Sequence, residues 1–206
     1  MFYWIIAACY RKTEPGSPGT PHPAGRKVIH SSTPGSFHPS FHSSFHIVRR
    51  GDHMEKGASF SSCGRYRYKL WRIWDDSKPI AMFVGLNPST ADETNDDPTV
   101  AKCQRYARQW GYGGIYMANI FAYRATDPSV MKEATDPVGP DNDISLIAMA
   151  STASIVIAAW GNHGSHKGRS QCIRKLLTDL YFLKMNKSGE PAHPLYLKGT
   201  LTPSKW

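Results

Sequence analysis

Cysteines are few in this chain, acids are nearly missing from its first quarter, and no apolar run is long. Each shortage excludes something. The 206 residues include four cysteines (Cys9, Cys63, Cys103 and Cys172), far apart and without a CxxC pair. That spacing argues against a disulfide framework or a zinc site and fits reduced thiols in a cytoplasm. The opening MFYWIIAACYRK lacks a basic n-region. Its apolar run falls far below the ~20 residues that span a bilayer, so neither export nor a membrane partner is expected.

Residues 1–53 hold only two acids, Glu14 and Asp52, but six of the nine histidines and many Ser, Pro and Gly. Such a segment cannot bury a core, and its composition predicts a disordered, low-complexity extension. The HPSFHSSFH spacing suits either loose metal binding or a plain polar tail. Met54 would make a natural start, so the extension is expected to be dispensable, with one folded domain over 54–206. The whole chain carries 25 Lys and Arg against 16 Asp and Glu, and from Met54 onward the balance is 19 against 14. This mildly basic part is compatible with an anionic partner.

From Phe60 the texture changes. CGRYRYKLWRIW alternates basic and aromatic residues like a half-exposed strand, and IAMFVG suits a buried one. Asp96 or Asp97 can cap a helix with Pro98 in its first turn. GIYMANI, SIVIAA and the stretch near Tyr181 read as further strands. GPDNDISLIAMAS and GRSQCIRKLLTDL read as helices, the latter with an apolar side through Leu180. Alternating strands and helices predict a three-layer α/β/α sandwich around a four-stranded parallel sheet in the order 2-1-3-4. The strands are expected near 80–85, 115–120, 154–159 and 180–184, with an antiparallel element at 60–74.

Ligands of such sheets bind beyond the carboxyl ends of the strands. After the first strand come Gly85, Leu86, Asn87, Pro88, Ser89 and Thr90, where a proline fixes the backbone behind an amide at the rim. Asn119 ends the second strand, where its amide can pair with a base edge or satisfy loop backbone. AAWGNHGSHKGR ends the third, with Trp160, Asn162, His163, His166, Lys167 and Arg169 either facing a phosphate or lining a solvated loop. EPAHPLYLKG places His193 before Pro194, and its Leu195, Tyr196 and Leu197 are either wedges between bases or core residues.

Taken in order, these motifs resemble the uracil-DNA glycosylase superfamily. FVGLNPS is similar to the Gly-Ile-Asn-Pro motif of its mismatch-specific branch. ANIFAYRA, AAWGNHGSHKG and HPLYL resemble motifs of the classical branch. A closer resemblance, over Cys63–Lys198, is to a family of bacterial and phage proteins known as domain-of-unknown-function family 1643, which has no established activity. The glycosylase resemblance implies that Asn87 positions a water and His193 steadies the departing base anion. It implies base contacts from Gly85, Leu86, Pro88, Asn119 and Trp160. Nucleic-acid contacts would come from Ser89, Thr90, Asn162, His163, Lys167 and Arg169, with Leu197 as the wedge. Arg105 and Arg108 are further candidates for phosphate.

Ser89-Thr90 departs from both branches, and Asp92, Glu93, Asp96 and Asp97 would repel a DNA backbone. Those acids are either a solvated helix entrance or a site for an amine or hard cation. The reading is an N-glycosylase-like enzyme on a base in DNA or a nucleotide, monomeric, with no cofactor and no metal. A non-catalytic nucleotide or modified-base binder and a metal-assisted nucleotide enzyme using Asp92, Asp96 or Asp97 are the alternatives.

Overall fold

Four short apolar runs form the centre of one sheet in the computed structural model, which describes residues 54–206. The expectations for residues 1–53 lie outside the described residues. The central strands are β3 (Ile80–Gly85), β4 (Gly114–Asn119), β5 (Ile155–Ala158) and β6 (Leu180–Phe182). Two strands precede them, β1 (Glu55–Phe60) and β2 (Arg67–Ile73), and β7 (Ser204–Lys205) follows. The helices are α1 (Pro98–Gln109), α2 (Pro128–Glu133), α3 (Asn142–Ala150) and α4 (Arg169–Leu176).

The sheet is seven-stranded and mixed, in the order β1-β2-β4-β3-β5-β6-β7. This corrects the expectation of a four-stranded parallel sheet. The four central strands do run parallel, in the order β4-β3-β5-β6. The added strands are antiparallel: β2 pairs with β4 and β1 with β2 on one side, and β7 pairs with β6 on the other. The basic-aromatic stretch thus extends the sheet through the open backbone of β4.

Side-chain alternation then divides the core in two. Phe83, Ile115, Met117 and Ile157 meet Val100, Cys103 and Tyr106 of α1 on one face. Met82, Val84, Ala118 and Val156 meet Leu146 and Met149 of α3 and Ile173 of α4 on the other. Burying a side chain such as Phe83 or Leu146, both at 0% exposure, stabilises the fold by about 1.5–3 kcal/mol each. Helix α1 starts as its sequence predicts: the Asp97 carboxylate accepts from Val100 N at 2.8 Å, with Pro98 in the first turn. Helix α4 stops at Leu176 rather than continuing through Leu180. Leu177 turns extended, and Leu180 opens β6, where the sheet offers its backbone a partner.

Strand β3 has β4 on one side and β5 on the other, so strand order reverses there. The carboxyl ends of β3, β4 and β5 lie at this reversal, the place where open α/β sheets bind ligands in a crevice. Among the described residues no helix is long and apolar enough to cross a membrane.

Candidate functional site

The three strand ends are stitched together before any ligand arrives. Ile120 N donates to Gly85 O at 3.0 Å, Phe121 N to Leu86 O at 2.9 Å, and Ala159 N to Val84 O at 2.8 Å. Beyond β3, the Asn87 amide donates to Ala125 O at 2.7 Å and to Pro88 O at 3.2 Å. Its two N–H groups are therefore committed to backbone, and its Oδ1 remains an acceptor at the rim. Asn119 stands in register with Gly85. It is 6% exposed, and its amide has no hydrogen-bond partner among the described residues. Its atoms are not among the enclosed unpaired ones, so the amide edge stays open to solvent or to a ligand. Gly85 gives it room: a methyl group there would stand 2.8 Å from Asn119 Oδ1.

His193 comes to the end of β5 from the far end of the chain. Gly161, at φ +71°, donates to Pro191 O at 2.9 Å, which lays residues 191–193 over the end of β5. A methyl on Gly161 would lie 3.7 Å from His193 Cβ. The imidazole is half-buried, and burial pushes its pKa down, opposed by the Asp97 carboxylate. Nδ1 accepts from Leu195 N at 3.4 Å, so the neutral ring carries its proton on Nε2. The turn after His193, Pro194–Tyr196, packs against α1, and Asn119, two residues after Met117, belongs to the α1 side of the sheet. Asn119 and His193 therefore share one face.

Several expected contacts are elsewhere. Trp160 is 1% exposed and its indole donates to Glu190 Oε2 at 2.7 Å, so it is a wall of the core rather than a base contact. Leu86, at 9%, and Pro88 are likewise buried. Arg169 is not a nucleic-acid contact: it is 5% exposed, pairs with Asp143 through both terminal nitrogens, and donates from Nε to Ile120 O at 2.8 Å. Asn162 Oδ1 accepts from Asn186 and Ser188, each at 2.8 Å, and clamps its loop. His163 sits 3.0 Å from Lys132 Nζ and, like Lys167, is exposed. Arg105 and Arg108 lie in the later half of α1, away from its start at the crevice. Leu197 packs against the α1-side core, whereas Tyr196 beside it is 87% exposed, with its ring 6.4 Å from that of His193.

The acids have local employment. Asp92 closes its own turn, and bonds from the Asn95 side chain, then the Asn95 and Thr94 N–H groups, hold its carboxyl well below the usual range. Asp96 accepts from buried Arg72 at 2.7 Å and from Gln104 at 2.6 Å. With Asp97 capping α1, these carboxylates do not converge on a common point, and no group of three or more metal-ligating side chains occurs among the described residues.

Sequence reasoning missed Arg67. It is 3% exposed, donates from Nη1 to Ala91 O at 2.5 Å, and leaves an enclosed Nε without a partner. Burial pushes its guanidinium down to about 10, with Asp97 opposing and Arg124 and Arg72 adding repulsion. No carboxylate forms an ion pair with it among the described residues.

The family described as "Protein of unknown function (DUF1643)" matches residues 67–195. The chain belongs to this family. The match runs from Arg67 on β2 to Leu195 beyond β6, so the DUF1643 segment contains Asn87, Asn119 and His193 as well as Arg67. No curated protein and no solved structure matches the chain. For this DUF1643 protein the site's own chemistry must therefore carry the functional argument.

Proposed function

We propose that the crevice at the ends of β3, β4 and β5 binds a nucleobase and that the protein hydrolyses its N-glycosidic bond. One observation carries the reading: the Asn119 amide, 6% exposed and unpartnered, offers a donor and an acceptor side by side over Gly85. That pair matches the edge of a base. The glycosylase likeness itself rests on the motifs alone.

The two remaining groups suit the bond that breaks. Asn87 Oδ1 accepts a hydrogen bond from a water and aims that water's oxygen at the sugar C1′, since both amide N–H groups are held elsewhere. The C1′–N bond opens as the C1′–O bond forms, and the base leaves with the electron pair. Neutral His193 donates from Nε2 to the oxygen on which that negative charge develops, an interaction strongest in the transition state. The displaced water proton passes to solvent. Tyr196, exposed beside His193, provides an aromatic face for stacking.

Base release from a panel of nucleosides, nucleotides and oligonucleotides, read by chromatography, tests this. Wild type should release one base and Asn87→Ala should not, while Asn119→Ala should lose binding. Release at equal rates in all three would remove the proposal. A binding role without hydrolysis is favoured by one observation: Asp92, Asp96 and Asp97 are already engaged by the chain, which leaves the water no nearby general base. Binding without release would identify that case.

A further inference from the structure

A separate open cleft of about 510 Å³ lies beside the crevice, lined by Gly64, Arg65, Ser89, Thr90, Tyr123, Arg124, Ala125 and Thr126. Its walls are fixed to one another. Arg124 N donates to Arg65 O, Arg124 Nη1 to Gly64 O, and Ala125 N to Pro88 O, each at 3.0 Å. Arg124 also stacks over the Phe60 ring at 4.8 Å. The cleft is thus formed in advance, and each arginine keeps N–H groups beyond those that Gly64 O and Cys63 engage. Neither arginine has an ion-pair partner, and the hydroxyls of Ser89, Thr90 and Thr126 have no hydrogen-bond partner, among the described residues.

Behind this wall lies Arg67, almost wholly buried, which donates to Ala91 O and keeps one enclosed N–H unpaired. A buried cation with no carboxylate in ion-pair contact is expensive, and an anion in the neighbouring cleft offsets part of that cost. Two arginines and three hydroxyls around one preformed hollow, with the buried charge of Arg67 behind it, fit a phosphate, whose oxygens accept from several donors at once.

We infer that this cleft seats the phosphate of a nucleoside monophosphate whose base occupies the crevice, an inference that rests on the base-binding reading above. The join is short: Asn87 and Pro88 border the crevice, Ser89 and Thr90 border the cleft, and Ala125 O holds Asn87 between them. The acids at 92–97 select against a continuous duplex. A passing backbone would meet Asp92, Glu93, Asp96 and Asp97, whereas a single phosphate needs only the arginine side. Leu197, partly buried against the α1-side core, is already engaged there.

The experiment is titration calorimetry on the full chain with inorganic phosphate, deoxynucleosides, their 5′-monophosphates, and trinucleotides with and without a 5′-phosphate. At least one monophosphate should bind about tenfold or more tighter than its nucleoside. Arg65→Gln with Arg124→Gln, both at exposed positions, should remove that advantage while nucleoside affinity stays unchanged and the melting temperature falls by no more than a few degrees for the lost bond to Gly64 O. A monophosphate no tighter than its nucleoside, or an advantage that survives the double substitution, would overturn the inference. Trinucleotides lacking a 5′-phosphate that bind as tightly as the monophosphate would overturn the monoester assignment in favour of a phosphodiester. If nucleosides fail to bind but inorganic phosphate binds and is lost in the double variant, the base reading fails and the anion cleft stands. If inorganic phosphate and the monophosphates all fail to bind, the cleft fails too.

Discussion

Gly85 and Asn119 face each other across β3 and β4, in register, and a methyl group on Gly85 would come within 2.8 Å of Asn119 Oδ1. The intruded atom is the end of a side chain that can rotate away. Gly85→Ala should therefore leave the fold intact, shifting the melting temperature by only a few degrees. The amide would turn from its present direction, and base binding should fall by about tenfold or more, the worth of one well-placed hydrogen bond. Thermal melts paired with ligand titration check this, and equal binding by wild type and Gly85→Ala would detach Asn119 from the ligand.

Arg169 and Asp143 should matter to stability rather than to ligands. Their side chains are 6% and 11% exposed. Arg169→Ala strands the Asp143 charge and should cost about 3–5 kcal/mol, whereas exposed Lys167→Ala should change stability by less than about 0.5 kcal/mol. Urea unfolding distinguishes the two, and a near-neutral Arg169→Ala would return that residue to the surface.

The histidines predict a loss of stability in mild acid. Burial lowers the pKa of both His193 and His166 below the ordinary 6.5, with Lys167 and Lys132 adding to the effect at His166. The unfolded chain then takes up protons first, so their contribution is complete above the unfolded value. It declines as pH falls through 6.5 toward the folded values. Urea midpoints at pH 7.5, 6 and 5 should drop, and His193→Gln should flatten part of the slope. An unchanged slope in that variant would mean the imidazole is as well solvated in the fold as in the unfolded chain.

Cys63 should be the reactive thiol among the described cysteines. The Ser61 hydroxyl, 3.3 Å from its sulfur, and then Arg65 bring its pKa down to about 7, while burial pushes Cys103 up. Alkylation by iodoacetamide, mapped by peptide mass spectrometry, should rise through pH 7 at Cys63 and leave Cys103 unmodified in the folded protein. Arg65→Gln should move the Cys63 profile to higher pH. A Cys63 profile centred near that of free cysteine would contradict the contact.

Asn87, Asn119 and His193 were legible because each follows a feature that sequence displays openly: an apolar run, or a proline-bracketed loop. Arg67 was not. In CGRYRYKLWRIW the alternation gives no way to choose which arginines turn inward, and a register irregularity on β1 between Ser59 and Phe60 leaves Arg67 and Tyr68 both buried. Arg169 misled for a different reason. It opens a helix after a loop rich in basic residues, but its partner Asp143 comes from α3, and only tertiary packing sets that meeting. Strands β1 and β7 carry little apolar signal, EKGASF and SK, and exist because β2 and β6 present unpaired backbone to them.

Those flanking strands also govern how molecules of this protein meet one another. A parallel sheet ending at β4 and β6 would expose two rows of backbone donors and acceptors, templates for strand addition by another chain. Instead one border is β1, with Glu55 and Lys56 exposed, and the other is the two-residue β7, where Lys205 is tethered to Asp179 at 2.9 Å. Short length and charge both discourage intermolecular pairing. Among the described residues, the antiparallel borders thus leave none of the four parallel strands at the rim of the sheet, open to strand addition.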